Sequence, residues 1–135
     1  MNISLKRQKI LIVDDEAHVI RILRLALEKA GYTVASANDG NEALAVMADF
    51  VPDVLISDIQ MAGMDGRELC RTARARYPER SFLILVMTSM TAMEERAWAR
   101  ELPQTDFLEK PLSPRQLVAR LATHFAAIGA APEST

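Results

Sequence analysis

Ile10-Leu11-Ile12-Val13-Asp14-Asp15-Glu16 is a run of four apolar residues that breaks at once into three carboxylates. The apolar part is too short for a helix and rich in Ile, Leu and Val. Such a run fits a strand buried on both faces of a parallel sheet. The period then changes. From Ala17 to Ala30 the stripe Ile20, Leu23, Leu27 and Ala30 recurs at helical spacing, and Gly31 stops it. Strand, acidic turn, helix is the unit from which the rest of the chain is read.

The unit repeats. Val54–Ile56 and Phe82–Met87 are further buried-strand runs, and the weaker, mixed runs Tyr32–Ser36 and Asp106–Leu108 fit edge strands. Helical patterns fill the intervals. Asn41–Phe50 is Ala-rich and ends before Pro52. Arg67–Tyr77 turns Leu69, Cys70 and Ala73 inward and a row of arginines outward. Thr91–Leu102 forms a predicted fourth helix, closed by Pro103. Ser113–Ile128 forms a fifth, with Ser113 as cap, Pro114 in the first turn, and Leu117, Leu121, Ala122 and Phe125 as its buried face. Five strand–helix alternations predict an α/β fold, a doubly wound parallel sheet with five helices on its two faces.

Composition agrees. The chain has 135 residues, 50% hydrophobic and 25% charged, which suits one soluble domain able to fold without a disulfide or metal staple. Collagen, disordered tails and disulfide-knotted scaffolds are excluded, and the single Cys70 forbids an internal disulfide. No apolar stretch approaches the ~20 residues of a membrane span. The charged N-terminus lacks the apolar run of a signal peptide, so a cytoplasmic protein is the default. A net charge of −2 gives no electrostatic pull toward nucleic acid. Arginine outnumbers lysine 12 to 4, which singles out any lysine at a special place.

Ligands of such sheets bind at the carboxyl ends of the strands. There the sequence puts Asp14, Asp15 and Glu16 after the first strand, Ser57 and Asp58 after the third, Thr88 and Ser89 after the fourth, and Lys110-Pro111 after the fifth. Each has a bland alternative. The aspartates can cap helices or start turns, Thr88 can be a loop hydroxyl, and Lys110 can be solvated. Together they ask for more, because clustered carboxylates repel one another unless a cation compensates. An all-oxygen, anionic set suits Mg²⁺, and no Cys or His stands close enough for zinc. One carboxylate could then attack a phosphoryl group, with Lys110 and Thr88 holding it.

At this point the residues resemble the receiver domain of two-component response regulators. The resemblance spans Lys9 to Ile128. It rests on Ile10 to Glu16, on Asp58-Ile59-Gln60-Met61-Ala62-Gly63-Met64-Asp65-Gly66, on Thr88-Ser89 and on Phe107-Leu108-Glu109-Lys110-Pro111. It implies a flavodoxin-like fold with strand order 2-1-3-4-5, a receiver domain over 5–128 and a flexible tail over 129–135. Asp58 resembles the phosphoacceptor. Asp14 and Asp15 resemble the acidic pair that, with Asp58 and the backbone carbonyl of Gln60, holds Mg²⁺. Thr88 resembles the switch hydroxyl, Lys110 the lysine that pairs with the phosphoryl group, and Phe107 the switch aromatic. Lys110-Pro111 stands where the family has a cis peptide bond. The implied donor is a histidine kinase or histidine phosphotransfer protein. The implied target is a downstream protein or an output domain, with neither nucleic acid nor membrane involved. A bacterial, cytoplasmic phosphoprotein with only self-catalysed phosphotransfer and autodephosphorylation is therefore expected, acting alone or as part of a longer regulator or hybrid kinase.

The chain departs from the family pattern in places. Ala62 replaces a proline, Leu102-Pro103-Gln104 replaces Gly-Ala, and Phe107 lacks a tyrosine hydroxyl. Two rivals differ in chemistry. A haloacid-dehalogenase-like phosphatase would carry its nucleophile in Asp-x-Asp on the first strand, where this chain has Asp-Asp. A pure interaction module would lack a site residue. Among the remaining residues, Met90, Met93 and Trp98 mark a candidate contact patch with Trp98 exposed, and Arg67, Arg71, Arg74, Arg76 and Arg80 a solvated helix face. Cys70 reads as a small buried hydrophobe. His18 and His124 have no nucleophile near them.

Overall fold

A computed structural model describes residues 7–88, 97–98 and 100–129 of the chain. Its elements are β1 (Lys9–Val13), α1 (Ala17–Lys29), β2 (Thr33–Ala37), α2 (Gly40–Asp49), β3 (Val54–Asp58), α3 (Gly66–Arg76), β4 (Leu83–Thr88), β5 (Thr105–Glu109) and α4 (Pro114–Ala127). The five strands form one parallel sheet in the expected order, 2-1-3-4-5, with β2 and β5 at the edges. Four helices lie among the described residues rather than five. The predicted fourth helix, 91–102, falls largely on 91–96 and 99, outside those residues, although Ala97 and Trp98 are helical. The tail at 130–135 and the residues Met90 and Met93 also lie outside them.

The sheet separates two cores, and strand alternation decides which residue enters which. Leu11, Val13, Leu55, Ile84 and Val86 face the α2 and α3 side, joined by Ala43, Met47, Leu69, Cys70 and Phe82. Ile10, Ile12, Val54, Ile56, Leu83, Leu85 and Met87 face the other side, joined by Leu23 and Leu27 of α1 and Leu117, Leu121 and Phe125 of α4. Both faces are therefore covered, which is why these strands read as unbroken apolar runs. Each fully buried Leu or Ile contributes roughly 1.5–3 kcal/mol relative to exposure.

Local signals end the helices where the sequence suggests. After α1, Tyr32 N–H donates to the Leu27 carbonyl at 3.1 Å and Gly31 N–H to that of Glu28 at 3.0 Å. Gly31 has φ +102°, the left-handed conformation this closing motif requires. The Asp39, Asp65 and Ser113 side chains cap α2, α3 and α4 by accepting from the N–H groups of Glu42, Glu68 and Gln116. Two expected core positions are corrected. Ala30 and Ala122 are exposed, because each lies at the rim of its helix stripe.

The arginine row is corrected at Arg74 and Arg80, while Arg71 and Arg76 are exposed as expected. Arg74 donates to the carbonyls of Phe82 (2.7 Å) and Gln104 (3.0 Å) and lies 4.3 Å from the Phe82 ring centre. Arg80 donates to the Met47 carbonyl at 2.8 Å and stacks on Tyr77. These guanidiniums close the amino ends of the sheet's connections rather than coat a solvated face. Their stems lie along apolar surface while their forks satisfy backbone oxygens.

Candidate functional site

The sheet order brings the site together. β1 and β3 are neighbours, with Val13 paired to Ser57, and β3 and β4 pair Asp58 with Met87. The chain after β1 passes to one face and the chain after β3 to the other, so a crevice opens between their carboxyl ends. Asp14 and Asp15 leave β1 into that crevice and Asp58 ends β3 beside them. One carboxylate oxygen from each lies within 4.8 Å of the others.

The three carboxylates are not equivalent. Asp15 is exposed, whereas Asp14 is fully buried and Asp58 is 5% exposed. Asp14 Oδ1 accepts the Glu16 N–H at 2.9 Å, but Asp14 Oδ2 is buried with no hydrogen-bond donor. Burial pushes the Asp14 carboxyl above the usual carboxylate range. The Glu16 amide pulls it down, the Asp58 charge pushes it up again, and the Lys110 charge lowers it less. An orphaned anionic oxygen facing two other carboxylates is the donor set a hard divalent cation takes, so these residues fit Mg²⁺.

Asp58 is held from two directions. Its Oδ1 accepts the Ile59 N–H at 2.8 Å and the Lys110 ammonium at 2.8 Å. Burial alone would lower the Lys110 ammonium. The hydrogen bond and charge of Asp58, with the charges of Asp14 and Glu16, outweigh it and leave Lys110 above its ordinary value, firmly cationic. Lys110 is placed by its backbone, whose N–H donates to the Thr88 carbonyl at 2.8 Å, and the Lys110-Pro111 peptide is cis. Thr88 ends β4 and is buried, and Gln60 is exposed on the loop after β3.

The loop after Asp58 returns tightly. Gly66 N–H donates to the Ile59 carbonyl at 2.8 Å, and a Cβ on Gly66 would overlap the Asp58 carbonyl oxygen and come within 2.8 Å of Ile59 Cα. Only glycine lets α3 start this close to the end of β3. The structure thus gathers Asp14, Asp15, Asp58 and Lys110, with Thr88 tied to Lys110 through the backbone. His18 is exposed and belongs to none of these contacts.

Phe107 is half-buried on β5, paired with Val86. Trp98 is corrected from exposed to buried, with 4% exposure. Its ring meets Phe107 edge to face at 6.3 Å, and the Arg67 guanidinium lies over it. The polar neighbours Arg100 and Glu101 concealed this in the sequence. The missed role of Arg74 had a signal: Arg67, Cys70, Arg74 and Tyr77 share one helical stripe, so a guanidinium beside buried Cys70 borders the core.

Comparison with known proteins follows the same lines. The response regulator receiver domain family matches residues 10–122. A putative response regulator from Chloroflexus aurantiacus is 36% identical, with a TM-score of 0.80, covering 90% of this chain and 99% of its own. The chemotaxis protein CheY4 of Vibrio cholerae is 34% identical, with a TM-score of 0.81, covering 86% of this chain and 97% of its own. A two-component response regulator from Clostridium difficile, 24% identical with a TM-score of 0.83, covers 90% of this chain and 98% of its own and shares the fold.

Proposed function

Because this chain belongs to the response regulator receiver domain family, we propose that it is a phosphoacceptor switch whose covalent charge sits on Asp58. The observation that carries this reading is the set of three carboxylates within 4.8 Å, one with an orphaned buried oxygen. The Lys110 ammonium lies 2.8 Å from Asp58 Oδ1.

In the proposed reaction a carboxylate oxygen of Asp58 attacks the phosphorus of a phosphohistidine on a histidine kinase or histidine phosphotransfer protein. A P–O bond forms as the P–N bond breaks, and the imidazole nitrogen leaves with the electron pair. Asp14, Asp15, Asp58 and the Gln60 carbonyl would hold Mg²⁺, whose charge neutralises the phosphoryl oxygens. Lys110 holds Asp58 in place beforehand and pairs with the phosphoryl group afterwards, because positioning and electrostatics dominate this chemistry. The Thr88 hydroxyl then donates to the new oxygens, and Phe107 turns into the space Thr88 leaves.

The surface around the predicted fourth helix, β5 and α4 is the proposed readout for a downstream protein or output domain. Neither nucleic acid nor a membrane is a proposed partner of this domain. Among the described residues no helix is long and apolar enough to cross a membrane, and the bacterial cytoplasm is the proposed compartment. The chain acts on its own phosphoryl group only, as a switch rather than an enzyme on a substrate pool.

Incubation with a small-molecule phosphodonor and Mg²⁺, followed by intact-mass measurement, tests the reading. One phosphoryl adduct is expected, lost with chelator and absent in Asp58→Asn. Full incorporation in Asp58→Asn, or incorporation indifferent to chelator, would overturn it.

A further inference from the structure

We propose that Arg67 and Trp98 hold the Phe107 ring in its resting position, as a brake that phosphorylation of Asp58 has to release. The proposal rests on the receiver reading above. Trp98 is buried, and its ring meets Phe107 edge to face, with centroids 6.3 Å apart and planes at 78°. The Arg67 guanidinium carbon lies 5.6 Å from the centre of the same indole. Arg67 directly follows Gly66, whose N–H is bound to the Ile59 carbonyl and whose Cα abuts the Asp58 backbone. One end of the stack is therefore fixed to the loop that carries the phosphoacceptor. The other end is the switch aromatic, which sits on β5 opposite Val86, two residues before Thr88 on β4.

The positive edge of one aromatic ring is attracted to the negative face of another, and a cation is attracted to that face too. Both attractions strengthen where water is excluded, as it is around Trp98. If Phe107 turns inward it gives up its edge-to-face partner. The stack therefore favours the resting conformer, and a ligand on Asp58 must bind the other conformer well enough to offset it. Arg67 and Trp98 are positioning residues in this scheme: they touch Phe107 or its partner, not the reacting atoms.

Trp98 is the only tryptophan in the chain, so indole emission reports its surroundings, which include Phe107 and Arg67. The experiment titrates the full chain with beryllium fluoride in Mg²⁺ and follows Trp98 emission together with fluorine-19 NMR of bound fluoride. Emission is expected to change in step with the bound signal, and both changes should vanish in Asp58→Asn. Arg67→Met should reach half-saturation at roughly three- to tenfold less ligand, the range that loss of such a contact commands. Arg67→Lys, which keeps a cation near the indole, should return part of the way. The wild-type measurement needs no variant, and melting curves confirm that Arg67→Met is folded. Bound fluoride with unchanged Trp98 emission, or Arg67→Met titrating like the wild type, would overturn the brake while leaving the receiver reading intact. Absence of any bound fluoride in the wild type would overturn both.

Discussion

The Lys110 N–H donates to the Thr88 carbonyl at 2.8 Å, so the ammonium on Asp58 and the hydroxyl at the end of β4 are spaced by a backbone bond rather than by side chains. Two groups proposed to meet the same phosphoryl oxygens thus share one rigid link. Substituting either side chain leaves that link in place, which makes their contributions separable.

Lys110→Met should retain the fold and slow phosphoryl incorporation by about 10²-fold, in line with removal of one preorganised electrostatic contact. Initial rates of adduct formation at saturating Mg²⁺ measure it. A rate within twofold of the wild type would show that the Asp58–Lys110 pair has no part in transfer.

Asp14→Asn should weaken Mg²⁺ binding yet stabilise the metal-free protein, on the order of 1 kcal/mol, because an orphaned buried anion is replaced by a neutral group. The sign follows from the raised carboxyl of Asp14. Below the ordinary carboxylate value the acid is protonated in both folded and unfolded chains, and the variant gains nothing. As pH rises through the folded value the wild type loses stability relative to the variant. Denaturant melts in chelator across that range read the difference.

Gly66→Ala should cost about 1–3 kcal/mol, since the new methyl overlaps backbone atoms that cannot swing aside. The same displacement moves the Asp58 loop, so incorporation of phosphate should fall along with the melting temperature. Gly129→Ala, at φ +73°, adds backbone strain at the end of α4 but no clash, with nothing within 4 Å of the added carbon, and should leave incorporation unchanged.

Cys70 is buried and its thiol is pushed up to about 12 by burial. A thiol-specific reagent at pH 8 should therefore label it only after unfolding, because the thiolate is the reactive form. Rapid labelling of the native chain would mean that α3 opens far more often than its packing implies.

The sheet was legible because its strands are buried on both faces, so Ile10–Val13 and Phe82–Met87 read as unbroken apolar runs. The site was legible for a related reason: a parallel sheet aligns its carboxyl ends, so residues leaving successive strands become neighbours whatever their separation in sequence. What stayed hidden depends on long side chains with two characters. Arg74 and Arg80 look solvated by composition, yet their forks bind carbonyls across the fold. Trp98 looks exposed among charged neighbours, yet Arg100 and Glu101 stay in solvent while the indole packs onto Phe107. Ala30 and Ala122 err the other way, since small apolar residues at a stripe's margin cost little in water.

The alternation of neighbouring residues between two cores gives the sheet a further property. It acts as a partition. Leu55 and Ile56 are adjacent in the chain, yet a cavity made at one would loosen the layer holding α2 and α3, and at the other the layer holding α1 and α4. Damage or adaptation on one flank is thereby insulated from the opposite flank, and both flanks share the strand backbones and the acidic rim where they end.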